Sequence, residues 1–227
     1  MILNTKTKAL ISGFIFSVLF SFLNFGSKCE SISHKVLRLH IIANSDSLED
    51  QNLKLKVRDR VLLELGSKFS NAKDLLDAEK ITEENMNLIE SLVQDEILKN
   101  GYTYLARVSL VKMHFDTRKY ENITMPAGDY NALRVTIGEA KGKNWWCVMF
   151  PPMCLPAAQG NATIEDVLSP CEHEIVCGKN KYSIAFKTVE IFFKVKEFLK
   201  ESVFDPVNDF MSSETFKYRI GFKILEI

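Results

Sequence analysis

Three groupings of residues carry the side chains from which a reactive centre could be built. Cys147 with His114 or His173 pairs a thiol with an imidazole base, as an extracytoplasmic cysteine hydrolase of the cell wall would need. A nucleophilic thiol calls for exposure and a depressed pKa, often at a helix N-terminus. Cys147 instead stands inside the apolar run from Trp145 to Phe150. His40 with Asp46, Asp50 and Asp59 offers metal-ligand chemistry. His40 falls in a strand-like run, however, and Asp46 and Asp50 are better used as turn and cap residues. Cys171-x5-Cys177 with His173 has the composition of a metal knuckle, but its spacing is wrong for paired zinc ligands. No catalytic set, metal or cofactor is therefore expected.

The elements that would hold these groups begin with residues 130–154. Leu133, Val135 and Ile137 alternate with Arg134 and Thr136, the period of a half-buried strand with one face in the core and one in water. Gly138 and Gly142 bracket a polar connection to a second strand that stops at Pro151-Pro152, where the ladder loses its N–H groups. The two strands read as a hairpin. Adjacent strand positions put Trp145 and Trp146 on opposite faces, so one ring should fill the core and the other lie at the rim. A rim aromatic is a common binding anchor. Asn144, Trp145 and Trp146 are accordingly candidate partner-binding residues, and the polar turn with Asn44 and Asp46 is placed near them.

Upstream, Val36 to Ala43 is a β-type run that breaks at Asn44-Ser-Asp-Ser47, with Ser47 and Asp50 at capping-box spacing. Leu53, Val57, Val61 and Leu65 then mark one face of a helix that Gly66 should close. A second helix is predicted over 82–99, stopped by Asn100-Gly101, followed by a long strand in which Tyr102, Tyr104, Ala106, Val108 and Leu110 share a face. Consecutive strands without intervening helices predict an α+β fold, an antiparallel-rich sheet with two helices packed on one face.

The N-terminus sets the compartment. Lys6 and Lys8 precede an apolar run from Ala9 to Phe25, the layout of a signal peptide or a retained membrane anchor over residues 1–28. The body would then lie outside the cytoplasm. In that setting Cys147 with Cys154, and Cys171 with Cys177, are expected local disulfides, leaving Cys29 over. Lys6, Lys8 and Lys28 account for three of the 29 basic residues, and no acidic residue precedes Glu30. The body is slightly acidic and carries no basic stripe, which excludes a nucleic-acid binder. Residues 29–156 read as one α+β domain and 157–227 as a cysteine-containing loop, a helix and a variable extension. Tyr182 to Ile191 reappears in part as Tyr218 to Ile227, a local duplication too short for a solenoid.

Two segments resemble the stage II sporulation protein R family. They are Leu37-Arg-Leu-His-Ile-Ile-Ala-Asn-Ser-Asp-Ser-Leu-Glu-Asp-Gln51 continuing to Asp59, and Pro126-Ala-Gly-Asp-Tyr-Asn-Ala-Leu-Arg-Val135 continuing through Asn144-Trp-Trp-Cys147 to Cys154. The resemblance covers roughly residues 36–155. It implies a protein made in the forespore and exported to the space between the two cells. There it would activate the membrane-embedded aspartic protease of the mother cell that processes the sigma-E precursor, without being an enzyme itself. The chain after about Ile191 departs from the family's usual ending.

Overall fold

A computed structural model describes residues 4–120, 123–153, 164–178 and 182–199. In chain order the elements are α1 (Thr5–Ser33), β1 (Leu37–Ile42), α2 (Leu48–Lys68), α3 (Leu75–Glu84) and α4 (Met86–Lys99). There follow β2 (Ala106–Phe115), β3 (Arg118–Lys119), β4 (Thr124–Met125), β5 (Gly128–Ile137) and β6 (Asn144–Phe150). Three helices close the described chain: α5 (Ile164–Val167), α6 (Pro170–Cys177) and α7 (Ser183–Leu199). The mixture of one main sheet with packed helices is α+β, as the pattern of elements predicts.

The strand order is β2-β5-β1-β6, with β3 and β4 forming a separate two-stranded ribbon. β1 is parallel to β5 and antiparallel to β6, while β2 and β5 are antiparallel. The sheet is therefore mixed, and the expected hairpin is not one. β1 lies between β5 and β6, with Ile42 opposite Thr136 on one side and Asn144 on the other. This central place explains why every residue of Leu37-Arg-Leu-His-Ile-Ile42 is buried. A strand flanked on both sides and covered on both faces must read as a nearly continuous apolar run.

Both faces of the sheet are covered, which corrects the expectation of one wet face. On the first, Leu37, Leu39, Ile41, Leu133, Val135, Ile137, Cys147 and Met149 pack with Leu53, Val57, Val61 and Leu65 of α2 and Ile89, Val93 and Ile97 of α4. Each large aliphatic side chain buried this way contributes about 1.5–3 kcal/mol. On the second, Tyr130, Ala132 and Val148 meet Phe115, Cys29 and Ile32 of α1, Ile175 and Val176 of α6, and Phe186 and Val189 of α7. The segment 170–177, expected to be a cysteine-containing loop, is a helix with Pro170 in its first turn and a Ser169/Glu172 capping box.

Helix boundaries depart from the sequence reading at two places. Gly66 does not end α2, which continues to Lys68 with Gly66 buried. Side-chain packing of Leu65 and Phe69 against the first core outweighs the roughly 1 kcal/mol helix penalty of glycine. The helix predicted over 82–99 is broken at Asn85, which caps α3 and begins α4. Ser47 caps α2 as predicted, its Oγ accepting from the Asp50 N–H at 3.1 Å. α1 runs unbroken across residues 28 and 29, the boundary drawn from sequence, and ends in the second core. Among the described residues no helix is long and apolar enough to cross a membrane. The second copy of the Tyr182 to Ile191 repeat lies outside the described residues.

Candidate functional site

Because β1 separates β5 from β6, the connection 138–143 has to pass over the C-terminal end of β1, where the Asn44-Ser-Asp-Ser47 turn begins. The two loops interlock there. Gly142 N–H donates to the Ala43 carbonyl at 2.9 Å and Lys141 N–H to the Asn44 carbonyl at 3.1 Å. Asn44 Oδ1 accepts from Glu139 N–H at 2.9 Å, and Asp46 Oδ1 accepts from Lys143 N–H at 2.6 Å. Lys54 reaches across from α2 to donate to the Lys143 carbonyl at 2.9 Å. The two glycines that bracket the connection are required by this approach. Gly138 has φ +58°, and a Cβ there would strike the Asn44 side chain; a Cβ on Gly142 would strike the Ser45 carbonyl.

Behind the loops, Asn44 Nδ2 and Ser45 Oγ both donate to Asp50 Oδ2, at 2.8 and 2.6 Å. Burial would raise the Asp50 pKa, but hydrogen bonds from Ser45, Asn44 and Tyr104 hold it below the ordinary carboxylate range. Next along β6, Asn144 Oδ1 accepts from His40 Nε2 at 3.0 Å. Burial pushes the His40 pKa down, and the bond to an amide oxygen puts a proton on Nε2.

Trp145 and Trp146 point to opposite faces of the sheet, as strand alternation requires, but neither is a fully outward ring. Both are half-buried. Trp146 stacks on His40 at 3.9 Å with an interplanar angle of 3° and meets Phe115 edge-on at 4.8 Å. Trp145 packs against the helix-side core with the Arg58 guanidinium 4.3 Å above its ring. Asn44, Asp46, Asn144 and the two rings thus occupy one end of the sheet, with Asp46 and Asn144 exposed. The residues singled out from sequence are brought together. Sequence reasoning missed Arg38, Arg118 and Arg134 on the face of Trp146; the only signal was a pair of arginines inside otherwise apolar strands.

The sequence profile of stage II sporulation protein R matches residues 33–160. The chain belongs to the stage II sporulation protein R family. The stage II sporulation protein R of Bacillus subtilis (strain 168) is 36% identical over 135 residues, which is 59% of this chain and 60% of that relative. The chain thus spans about six tenths of the relative's length. No solved structure matches. The matched span takes in the sheet, α2 to α4 and both interlocked loops, and leaves α5 to α7 outside it.

The reactive groups of this stage II sporulation protein R family member are not arranged for nucleophilic catalysis at Cys147. That residue is 0% exposed and belongs to the helix-side core. Neither proposed base serves it: His114 pairs with Asp129 at 3.1 Å and meets Phe193 at a tilt, while His173 Nε2 lies 3.2 Å from Glu165 and 3.3 Å from the Cys177 sulfur. Burial pushes the Cys177 thiol up, away from a thiolate. Among the metal-reading residues, Asp46 and Asp50 are engaged in the loops and Asp59 pairs with Arg58 at 2.6 Å.

Cys171 and Cys177 are free thiols, which corrects the expected bridge between them. They stand six residues apart at the two ends of α6, about 9 Å along the axis at 1.5 Å per residue, beyond the Cα separation a disulfide spans. Lys28 donates to the Cys171 sulfur at 3.0 Å. Cys29 is also free, and burial lifts its pKa to about 12. Cys154 lies outside the described residues, and with it the pairing expected for Cys147.

Proposed function

We propose that this chain is an exported signal of sporulation that activates the membrane-embedded aspartic protease processing the sigma-E precursor in the mother cell, acting as a ligand and not through chemistry of its own. Family membership carries the sporulation role. The observation that supports the ligand reading is the rigid, partly exposed end of the sheet, where Asn44, Asp46, Asn144, Trp145 and Trp146 converge while the one buried nucleophile candidate faces the core. This end is the proposed contact surface for the protease. Export to the space between forespore and mother cell is part of the same reading. The N-terminal half of α1 supports it, because Leu10, Ile11, Phe14 and Phe16 are exposed apolar side chains that suit a signal segment or a membrane-seated anchor.

The test is reconstitution in cells that make the protease, the sigma-E precursor and this chain. Alanine at Trp145, which removes a half-buried ring above the Arg58 side chain, should leave export intact and reduce precursor processing. A hot-spot loss of about 2 kcal/mol in binding corresponds to roughly thirtyfold in affinity. Undiminished processing by folded, exported Trp145→Ala and Trp146→Ala variants would remove this end of the sheet as the contact surface. Absence of any processing with the parent chain, while the family's Bacillus subtilis member restores it, would refute the activator reading.

A further inference from the structure

The second face of the sheet collects positive charge without a counterion among the described residues. Arg38, the second residue of β1, is 0% exposed. Its Nε donates to the Cys147 carbonyl at 2.9 Å and its Nη2 to Tyr120 Oη at 2.8 Å, while Nη1 has no partner. The guanidinium is walled by Phe115 at 4.4 Å and Tyr130 at 5.0 Å. Beside it on β1 is His40, 3% exposed, with Nδ1 unpartnered. Strand register puts Arg134 directly beside His40 on one flank and Trp146 on the other. The Arg118 guanidinium lies over that indole, 5.3 Å from the ring centroid. Arg118 and Arg134 are half-buried, and the Nε of each is buried without a partner.

No described ion pair involves any of the three arginines. The like charges act on one another: burial first and then Arg118 lower the Arg38 pKa, and Arg134 adds to the burial that depresses His40. An arginine cannot relieve this by losing its proton. Removing a cation from water without a charged partner is costly, and ring faces compensate only part of that cost. Three guanidinium nitrogens, one on each arginine, carry donor hydrogens with no partner on this one face of the sheet, and an oxyanion is the chemistry that would satisfy them.

We propose that Arg38, Arg118 and Arg134, on the sheet face that carries His40 and Trp146, form a binding site for an oxyanion, a phosphate or a carboxylate group. The planar fork of an arginine guanidinium suits two-point capture of either group, and Arg38, fully buried, supplies a fixed charge. The site stands on the sheet face and not on the interlocked loops, so it holds whether or not those loops contact a protease.

The experiment uses the full chain, titrated at constant ionic strength with inorganic phosphate and, separately, with glutarate, against a chloride control. Tryptophan fluorescence reports on the site through Trp146, and melting temperature reports on linkage. Saturable fluorescence change and a rising melting temperature with either anion are expected. Arg118→Gln with Arg134→Gln should weaken the response at least about tenfold, the order of one charge-assisted hydrogen bond. Phosphate alone would assign a phosphorylated ligand, and glutarate alone an acidic side chain. A response to both anions that matches chloride, or one undiminished in the folded double variant, would overturn the site. Should the double variant not fold, Arg118→Gln alone decides on the same criteria.

Discussion

Gly142→Ala puts the interlock of the two loops to the test. The added methyl collides with the Ser45 carbonyl, which is backbone and cannot swing aside, so the connection 138–143 must lift away from the end of β1. Of the five hydrogen bonds that tie this connection down, the three made at residues 142 and 143 are then at risk. One is neutral, Gly142 N–H to the Ala43 carbonyl at 2.9 Å; two involve a charged group, Lys143 N–H to Asp46 at 2.6 Å and Lys54 to the Lys143 carbonyl at 2.9 Å. Net values of about 0.5–1.5 kcal/mol for the neutral bond and about 1.5–3 kcal/mol for each charged one give an upper range that exposure of Asp46 and Lys143 reduces. Replacing glycine also stiffens the unfolded chain, which offsets about 0.4–1 kcal/mol. The net expectation is a destabilisation of about 3 kcal/mol. With a urea slope of about 2 kcal/mol per molar, the unfolding midpoint should fall by about 1.5 M. Gly13→Ala, where an added Cβ meets nothing within 4 Å, serves as the control and should not lower the midpoint. A Gly142→Ala midpoint equal to the parent's would refute the interlock and with it the convergence of the candidate residues.

Glu172 joins α6 to α1. Burial would raise its pKa, but hydrogen bonds from Lys35, Ser31 and Ser169 outweigh this and hold it at about 2 against an ordinary 4.5. A depressed carboxyl stabilises fully above its unfolded value and loses that contribution as pH falls from about 4.5 to about 2, here on the order of 3 kcal/mol. Urea midpoints of Glu172→Gln should therefore lie below the parent at pH 6 and converge with it near pH 2; parallel curves would refute the assignment. Alkylation of the native, unreduced protein should modify exposed Cys171 quickly and buried Cys29 slowly, and Cys147 not at all. Rapid labelling of Cys147 would revive the hydrolase reading and dissolve the proposed bridge to Cys154. Val93→Ala should cost about 2–4 kcal/mol by opening the α4 contact with the sheet, measured by urea unfolding.

Local signals carried most of the elements. Ser47 caps α2 because its spacing to Asp50 is chemical and local, and β6 ends at Pro151 for the same kind of reason. The faces were harder. Leu133, Val135 and Ile137 against Arg134 and Thr136 spell a strand with one polar face, and yet that face is covered by α1, α6 and α7. Alternation reports polarity and not exposure, and an arginine inside a covered face reads the same as one in water. Gly66 shows the complementary failure, since a local stop signal gives way to packing on both of its sides.

The strand order was beyond any local signal, and it governs the site. β5 and β6 are separated by only six residues, 138–143, so proximity in sequence predicts a hairpin. That gap is also long enough to step over one intervening strand, because neighbouring strands lie about 4.8 Å apart and a residue of extended chain covers about 3.3 Å. β1 has the composition to take the central place, being apolar along its whole length except for Arg38 and His40. Once it does, the connection must cross its end, and Asn44 and Asp46 become the acceptors for the crossing backbone. The same insertion stacks Trp146 on His40 and leaves Trp145 on the helix side. An edge fixed by so many bonds loses little freedom on meeting a partner, which favours affinity at modest area. The features for which this end is proposed as a contact surface therefore follow from one topological event that only long-range pairing specifies.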